Sequence, residues 1–194
     1  ILNGEIYNYR ELKKQLIDKG FVFKTNSDTE VILQLFQLYG PEAVHRFIGM
    51  FSFAIYHLTS ETLFVFRDRV GVKPLYYYWE AGEFYFASEL KALIPQLPKK
   101  EVNSKAISDF FRFGYIRNPL SIFEDVFKLP PGHYATVKNK ELKVIKYWNI
   151  VDQVKQQEKV NEEEAELHLE ELMQSSFDYR MVADVPVGVF LSGG

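Results

Sequence analysis

The sequence predicts an α+β chain in which a strand-rich antiparallel domain is followed by the opening of an α/β unit. Three observations carry this expectation. Aromatic residues make up 16% of the 194 residues and gather at 47–86 and 110–127, in runs suited to packed strands. Apolar residues recur at helical spacing in separate segments between and around these runs. The final stretch, DVPVGVFLSGG (184–194), passes from an apolar strand pattern into a glycine-rich loop.

From the front, Tyr9, Leu12, Leu16 and Ile17 repeat with helical period over 9–19, and Asn8 followed by Glu11 has the spacing of a capping box. FVFKTNSDTE (21–30) reads as a short strand followed by polar residues. A second helix is expected from Thr29 to Tyr39, with Val31, Leu35 and Leu38 on one stripe, stopped by Gly40 and Pro41. Residues 50–87 contain MFSFAIYHL, TLFVFRDR, PLYYYW and EFYFAS, separated by short polar or glycine-bearing breaks, and read as a meander of antiparallel strands. A helix over 104–113 would bury Ile107, Phe110 and Phe111. HYATVK and LKVIKYW form a further hairpin joined by Asn139-Lys140.

The strand-rich domain is expected to occupy 1–148, ending at Trp148. Residues 149–161 are polar and lack aromatics beyond Trp148, so composition makes them a linker. A helix over 162–180 opens with Glu162, Glu163 and Glu164, which suit a helix N-terminus, and holds Ala165, Leu169, Leu172 and Ser176 in register. Val187, Val189, Phe190 and Leu191 then form the strand pattern that runs into Ser192, Gly193 and Gly194. Such a strand and loop normally feed a helix whose N-terminus binds an anion. The first residue is Ile1 within an apolar segment, and both ends read as cut, so the chain is expected to be an internal piece of a longer protein.

Bulk properties narrow the function classes. Hydrophobic residues at 47% and charged residues at 25% describe an ordinary globular domain. No apolar run has the length of a membrane span, and a formal net charge of −3 gives no electrostatic case for nucleic acid or an anionic membrane as partner. There is no cysteine, which excludes disulfides and thiolate metal sites and fits a reducing compartment. His45, His57, His133 and His168 lack metal-ligand spacing, so no metal site is expected from them.

NGEIYN (3–8) offers two neutral donors, the Asn3 amide and the Gly4 N–H, beside the carboxylate of Glu5. Two donors suit an oxyanion and an adjacent carboxylate suits an ammonium. The same six residues also suit an Asn-Gly hairpin turn, the simpler reading of the hexapeptide alone. Asp28 in NSDTE is either a helix N-cap or a second carboxylate for the same ammonium. Arg67 and Asp68 read as a structural pair, and Gly71 and Pro74 as shaping the connection after them.

NGEIYN, SDTEVIL, GMFSFAIY, RDRVGVKPLYY, FASELKAL, LPPGHY and DVPVGVFLSGG, in this order, resemble the glutamine-dependent asparagine synthetases, over essentially the whole chain. The resemblance implies a class II glutamine amidotransferase domain with the N-terminal nucleophile fold, an αββα sandwich of antiparallel sheets. It implies that an ATP pyrophosphatase domain of α/β, Rossmann-like form begins at 162–194. Asn3 and Gly4 would then form the oxyanion hole for the glutamine side-chain amide, and Glu5 and Asp28 would hold the glutamine α-amino group. Leu191, Ser192, Gly193 and Gly194 would lie against ATP, as the first half of an SGGxDS loop. The parent would be cytoplasmic, use glutamine, aspartate, ATP and Mg²⁺, and form a homodimer, with neither nucleic acid nor membrane as partner. Two other readings stay open: a related two-domain amidotransferase aminating a sugar or cell-surface acceptor, and a non-catalytic remnant of the fold.

The family nucleophile is an N-terminal cysteine whose own α-amine acts as base. With no cysteine in the sequence, the 194-residue chain should release no glutamate from glutamine and make no asparagine from ATP, aspartate and ammonia. Product above the buffer blank in either assay would overturn the assignment of Asn3 and Gly4.

Overall fold

The computed structural model of the chain describes residues 1–154, 161–183 and 185–188. Eight strands are present among the described residues: β1 (Leu2–Ile6), β2 (Gly49–His57), β3 (Thr62–Arg67), β4 (Tyr76–Glu80), β5 (Glu83–Ala87), β6 (Val126–Lys128), β7 (His133–Lys138) and β8 (Glu141–Lys146). The α-helices are α1 (Tyr9–Asp18), α2 (Asp28–Tyr39), α3 (Ser104–Phe113), α4 (Ile150–Val154) and α5 (Glu162–Arg180). Five strands make one sheet in the order β1-β2-β3-β7-β8 and three make a second in the order β5-β4-β6, all pairs antiparallel.

Alternation along the strands sorts side chains into layers. Phe51, Phe53, Ile55, Phe66 and Tyr134 leave one face of the large sheet and pack on Leu12 and Leu16 of α1 and Val31, Ile32, Leu35 and Phe36 of α2. Their rings stack and tilt against one another, with Phe53 and Phe66 only 4.6 Å apart between centroids. Ala54, Val65 and Ala135 leave the opposite face and meet Leu75, just before β4, and Tyr77, Phe84 and Phe86 of the small sheet. The outer face of the small sheet, with Tyr76, Tyr78, Tyr85 and Val126, is covered by Leu90, Leu93 and Leu97 from two short 3₁₀ turns. The architecture is therefore the expected αββα sandwich, with an outer layer made here chiefly of short turns.

Residues 50–87 form two hairpins in different sheets where the sequence suggested one meander. β3 pairs with β2 and β7, and β4 pairs with β5 and β6. The cause lies in RDRVGVKPL, where the chain leaves one sheet for the other. Asp68 is 1% exposed, and its carboxylate accepts from the backbone N–H groups of Phe51 (3.3 Å), Val72 (2.9 Å) and Lys73 (2.9 Å). Arg67 donates to the carbonyls of Lys73 (2.8 Å), Gly71 (3.0 Å) and Leu129 (2.6 Å). The two residues are structural, as expected, through the backbone around them. Burial lowers the Arg67 pKa from its usual value, and neighbouring Asp68 acts against that shift. Gly71 has φ +73°, and a Cβ there would lie 2.8 Å from Pro131 Cγ and 3.1 Å from the Arg67 guanidinium carbon. Only glycine admits both the conformation and the guanidinium.

Several local expectations shift for stated reasons. Asn8 does not cap α1 with its side chain: it donates to Arg46 O (3.0 Å) and accepts from Ile48 N (3.0 Å), stitching the start of α1 to the approach to β2. Residues 21–24 carry no strand, and Phe21 and Phe23 pack beside α1 and α2. The buried stripe of α2 is Val31, Ile32, Leu35 and Phe36, with Leu38 exposed. Gly40 and Pro41 end α2 but open a 3₁₀ turn over Gly40–Arg46, since proline is tolerated in a first turn.

α3 buries Ala106 and Asp109 and exposes Phe110 and Phe111, the reverse of the apolar expectation. Polar anchors set its face: Asn103 caps it by accepting from Ala106 N (2.9 Å), and Asp109 holds Arg117 through contacts at 2.7 and 3.0 Å. The Arg117 guanidinium keeps the Asp109 carboxyl below its usual range. The hairpin β7–β8 turns at Asn139 and Lys140, both at positive φ, as an Asn-led two-residue turn requires. The stretch 149–161 carries α4, and α5 spans its expected residues with none of them buried. Residues 185–188 have no regular structure, and the rest of the expected C-terminal strand lies outside the described residues.

Replacing Asp68 with alanine leaves one buried and two part-buried backbone donors without their acceptor and should lower the unfolding free energy by about 3–5 kcal/mol. Lys91→Ala, which breaks a surface pair with Glu89, should cost less than about 1 kcal/mol. Urea unfolding of the two variants checks the contrast.

Candidate functional site

The Asn-Gly pair of NGEIYN does not form a hairpin turn. Asn3 to Ile6 lie in β1, which pairs along its length with β2 from Leu2↔Phe53 to Ile6↔Gly49. Ile1 and Ala54 exchange both of their backbone hydrogen bonds, 3.1 and 2.9 Å, and Tyr7 N donates to Ile48 O at 2.7 Å. By the alternation of an antiparallel ladder, Asn3 and Glu5 also bond to β2, whereas the N–H groups of Leu2, Gly4 and Ile6 turn the other way. Among the described residues β1 has no second neighbour, so those donors face an open edge. Ile6 N shows where they point: it donates to Asp28 Oδ2 at 3.1 Å.

Gly4 takes its place on this edge through backbone geometry. Its φ is +139°, and a Cβ would sit 2.1 Å from Met50 O and 2.7 Å from Phe51 Cα. No side chain fits there, so β1 can approach β2 closely and present a bare N–H on its outer side. The side chain of Asn3, directly opposite buried Ser52, leaves the face turned toward the small sheet. Its Nδ2 donates to Ser88 Oγ at 2.8 Å, just past β5. A cleft of about 230 Å³ opens beside it, lined by Asn3, Ser52, Leu75, Phe86 and Ser88 among others.

Asp28 is the first residue of α2, and the N-cap is Ser27, whose Oγ accepts from Thr29 N at 3.2 Å. The capping role considered for Asp28 is thus filled by its neighbour. The loop before it is pinned by Glu30, which accepts from Lys24 N (2.9 Å) and from Thr25 N (2.7 Å) and Oγ (2.6 Å). Those hydrogen bonds, led by the Thr25 hydroxyl, lower the Glu30 pKa. Lys13 Nζ adds contacts to Thr25 O (2.7 Å) and Asn26 Oδ1 (2.8 Å). A helix N-terminus and an edge strand therefore bring Asp28 to β1.

Glu5 and Asp28 line one open cleft of about 1270 Å³ together with Tyr7, Lys13 and Arg180. Arg180 arrives from the end of α5, 5.3 Å from the Tyr7 ring centroid, and Tyr179 OH donates to Glu11 at 2.9 and 3.0 Å. Burial raises the Tyr7 pKa, partly offset by Arg180 and reinforced by Glu5. The structure thus brings Glu5 and Asp28 to one cleft beside the β1 edge, with Asp28 tied to Ile6 N, and places the Asn3 side chain in a second cleft between the sheets. Leu191, Ser192, Gly193 and Gly194 lie outside the described residues. Ser88 and Arg180 join this neighbourhood without a signal of their own in the sequence; FASELKAL marks the segment of Ser88 but gives it no role.

Chemically, the edge offers neutral donors at Asn3 and Gly4 next to two carboxylates, a layout for a ligand with a carbonyl oxygen at one end and a cation at the other. No group of three or more His, Asp or Glu side chains among the described residues could hold a metal ion, and no described helix is long and apolar enough to cross a membrane.

Comparison with known proteins identifies the domain family. A family model for the glutamine amidotransferase domain matches residues 1–148, and one for asparagine synthase matches 168–194. A putative asparagine synthetase [glutamine-hydrolyzing] 2 of Methanocaldococcus jannaschii is 39% identical over 201 residues, covering 100% of this chain and 38% of that protein. Asparagine synthetase [glutamine-hydrolyzing] 1 of Bacillus subtilis is 36% identical over 195 residues, covering 100% of this chain and 30% of its own. The chain thus spans about a third of the length of these relatives. Among solved structures, the glutamine phosphoribosylpyrophosphate amidotransferase of B. subtilis, complexed with ADP and GMP, superposes with a TM-score of 0.54 at 22% identity. It covers 76% of this chain and 28% of its own, a likeness of fold. Over residues 1–148 the chain belongs to the glutamine amidotransferase domain family.

Proposed function

We propose that this chain is the glutamine-binding part of a glutamine-hydrolysing asparagine synthetase, together with the start of its ATP pyrophosphatase domain at 162–194. The observation that carries the reading is the open edge of β1: Asn3, Gly4 and Glu5 are consecutive on it, Asp28 joins it through Ile6 N, and Glu5 and Asp28 line one cleft beside it while Asn3 lines another. The match to the asparagine synthase model over 168–194 favours aspartate over a sugar as acceptor.

In the longer parent a cysteine thiolate attacks the side-chain amide carbon of glutamine, and the carbonyl π pair moves onto oxygen. The Asn3 Nδ2–H and Gly4 N–H donate to that oxyanion, which carries more charge than the substrate carbonyl and so gains more from them. The α-amine returns to the nitrogen the proton it took from the thiol, so collapse expels ammonia and leaves a thioester, which water hydrolyses to glutamate. Glu5 and Asp28 hold the α-ammonium, fixing which end of glutamine faces the donors. Aspartate displaces pyrophosphate from ATP to form an acyl-adenylate, and the ammonia then displaces AMP from it to give the amide. Leu191 and Ser192 to Gly194 are assigned to ATP on their sequence pattern. Mg²⁺ is assigned to the parent alongside ATP; no group of three or more His, Asp or Glu side chains among the described residues could hold it, and no step in this scheme runs through it. The parent is assigned to the cytoplasm as a homodimer.

Two substitutions in the full-length protein test the site. Asn3→Ala removes one oxyanion donor and should lower glutamine turnover by roughly 10²–10³ with a smaller change in glutamine affinity, leaving ammonia-dependent synthesis intact. Unchanged glutamine turnover would refute the role of Asn3. Asp28→Asn keeps an acceptor for Ile6 N but removes the charge. It should raise the glutamine KM about tenfold to a hundredfold with a thermal midpoint shifted by only a few degrees. A normal KM with a lowered midpoint would make Asp28 purely structural.

A further inference from the structure

An asparagine carboxamide is a two-sided group, with two N–H donors on one end and an acceptor oxygen on the other. Rotation about its last torsion is soft, so a backbone position alone does not decide which end faces a ligand. At Asn3 the surroundings leave room for that rotation, because the cleft of about 230 Å³ between the sheets lies directly beside the side chain. If the oxygen turned toward a developing oxyanion, two acceptors would face each other. The donor end must be selected by something outside β1.

Ser88 is placed to do this. It follows the last residue of β5, on the small sheet, 85 residues away in sequence, and its Oγ accepts from Asn3 Nδ2 at 2.8 Å. One N–H is spent on Ser88, and because the amide is planar the direction of the second is then fixed. The partner stands on a different sheet from Asn3, held by the β4–β5 pairing that runs from Tyr76↔Ala87 to Glu80↔Glu83. We propose that Ser88 is a positioning residue that holds the Asn3 carboxamide with its nitrogen end toward the substrate oxygen. This rests on the reading of Asn3 as an oxyanion donor. Ser88 touches no reacting atom, and its effect passes wholly through Asn3.

The test is glutamine hydrolysis by the full-length protein carrying Ser88→Ala, Ser88→Thr, Asn3→Ala, and Asn3→Ala with Ser88→Ala. Loss of one neutral hydrogen bond that acts on the transition state should lower kcat of Ser88→Ala roughly three- to tenfold. The glutamine KM should stay within about twofold, with ammonia-dependent synthesis unchanged. Ser88→Thr keeps the hydroxyl and should recover most of the rate. The double variant should be no slower than Asn3→Ala alone, because the serine has nothing left to orient. If alanine fails to fold, Ser88→Cys, close in size but a weak acceptor, should show the same loss.

An unchanged kcat for Ser88→Ala alongside a slow Asn3→Ala overturns the role of Ser88 and leaves that of Asn3 standing. Independent, multiplying losses in the double variant overturn it as well. So does a loss of glutamine-dependent and ammonia-dependent activity together that threonine does not repair. If Asn3→Ala itself keeps full turnover, the underlying reading of Asn3 fails.

Discussion

The fold depends on two neighbouring buried charges that each serve the backbone. Where β3 ends, the chain must leave one sheet and reach the other, and its peptide groups lose their ladder partners in the crossing. Buried peptide groups without partners are costly. The Asp68 carboxylate takes N–H groups from β2 and from the crossing loop, and the Arg67 guanidinium takes carbonyls from the loop and from Leu129. The Asp68 carbonyl in turn accepts from Gly132 N at 2.9 Å, and Tyr147 OH donates to Arg67 O at 2.8 Å. Strand segments from both sheets thus close on one dipeptide. That closure sets the spacing of the sandwich.

The chemistry at β1 inherits this spacing. An edge strand alone supplies donors in a row but no way of choosing among them. Asp28 takes the Ile6 N–H, Ser88 engages Asn3 from the opposite sheet, and the Gly4 N–H remains directed outward. One partner comes from the helical layer and the other from the second sheet. The site is therefore a property of the sandwich as a whole, although the residues singled out in it first, Asn3, Gly4 and Glu5, are consecutive in the chain.

Much of this was legible in the sequence wherever a local rule decides the outcome. The aromatic strands, the Asn139-Lys140 turn, α3 and α5 follow from period and turn chemistry at their expected places. What escaped depended on partners distant in sequence. Nothing local tells PLYYYW to leave the sheet of TLFVFR, because the decision is made by hydrogen bonds to Asp68 and Leu129. Asn8 has the spacing of a cap, yet two groups near residue 47 claim its side chain. The α3 helix shows the same competition: an ion pair to Arg117 draws Asp109 inward and turns Phe110 and Phe111 out. The pair Asn3 and Gly4 was readable only as a set of donors, and Ser88 could not be joined to it without the second sheet.

The close approach of β1 and β2 has a consequence for heredity. Gly4 would place a Cβ 2.1 Å from Met50 O, and Gly49, on the facing strand, would place one 2.2 Å from Glu5 O. Neither position admits a side chain, whatever the protein is used for. A lineage under pressure only to keep the fold would therefore retain the Gly4 N–H at the open edge. Half of the proposed oxyanion site is inherited with the architecture, and natural variation has only the Asn3 half to explore.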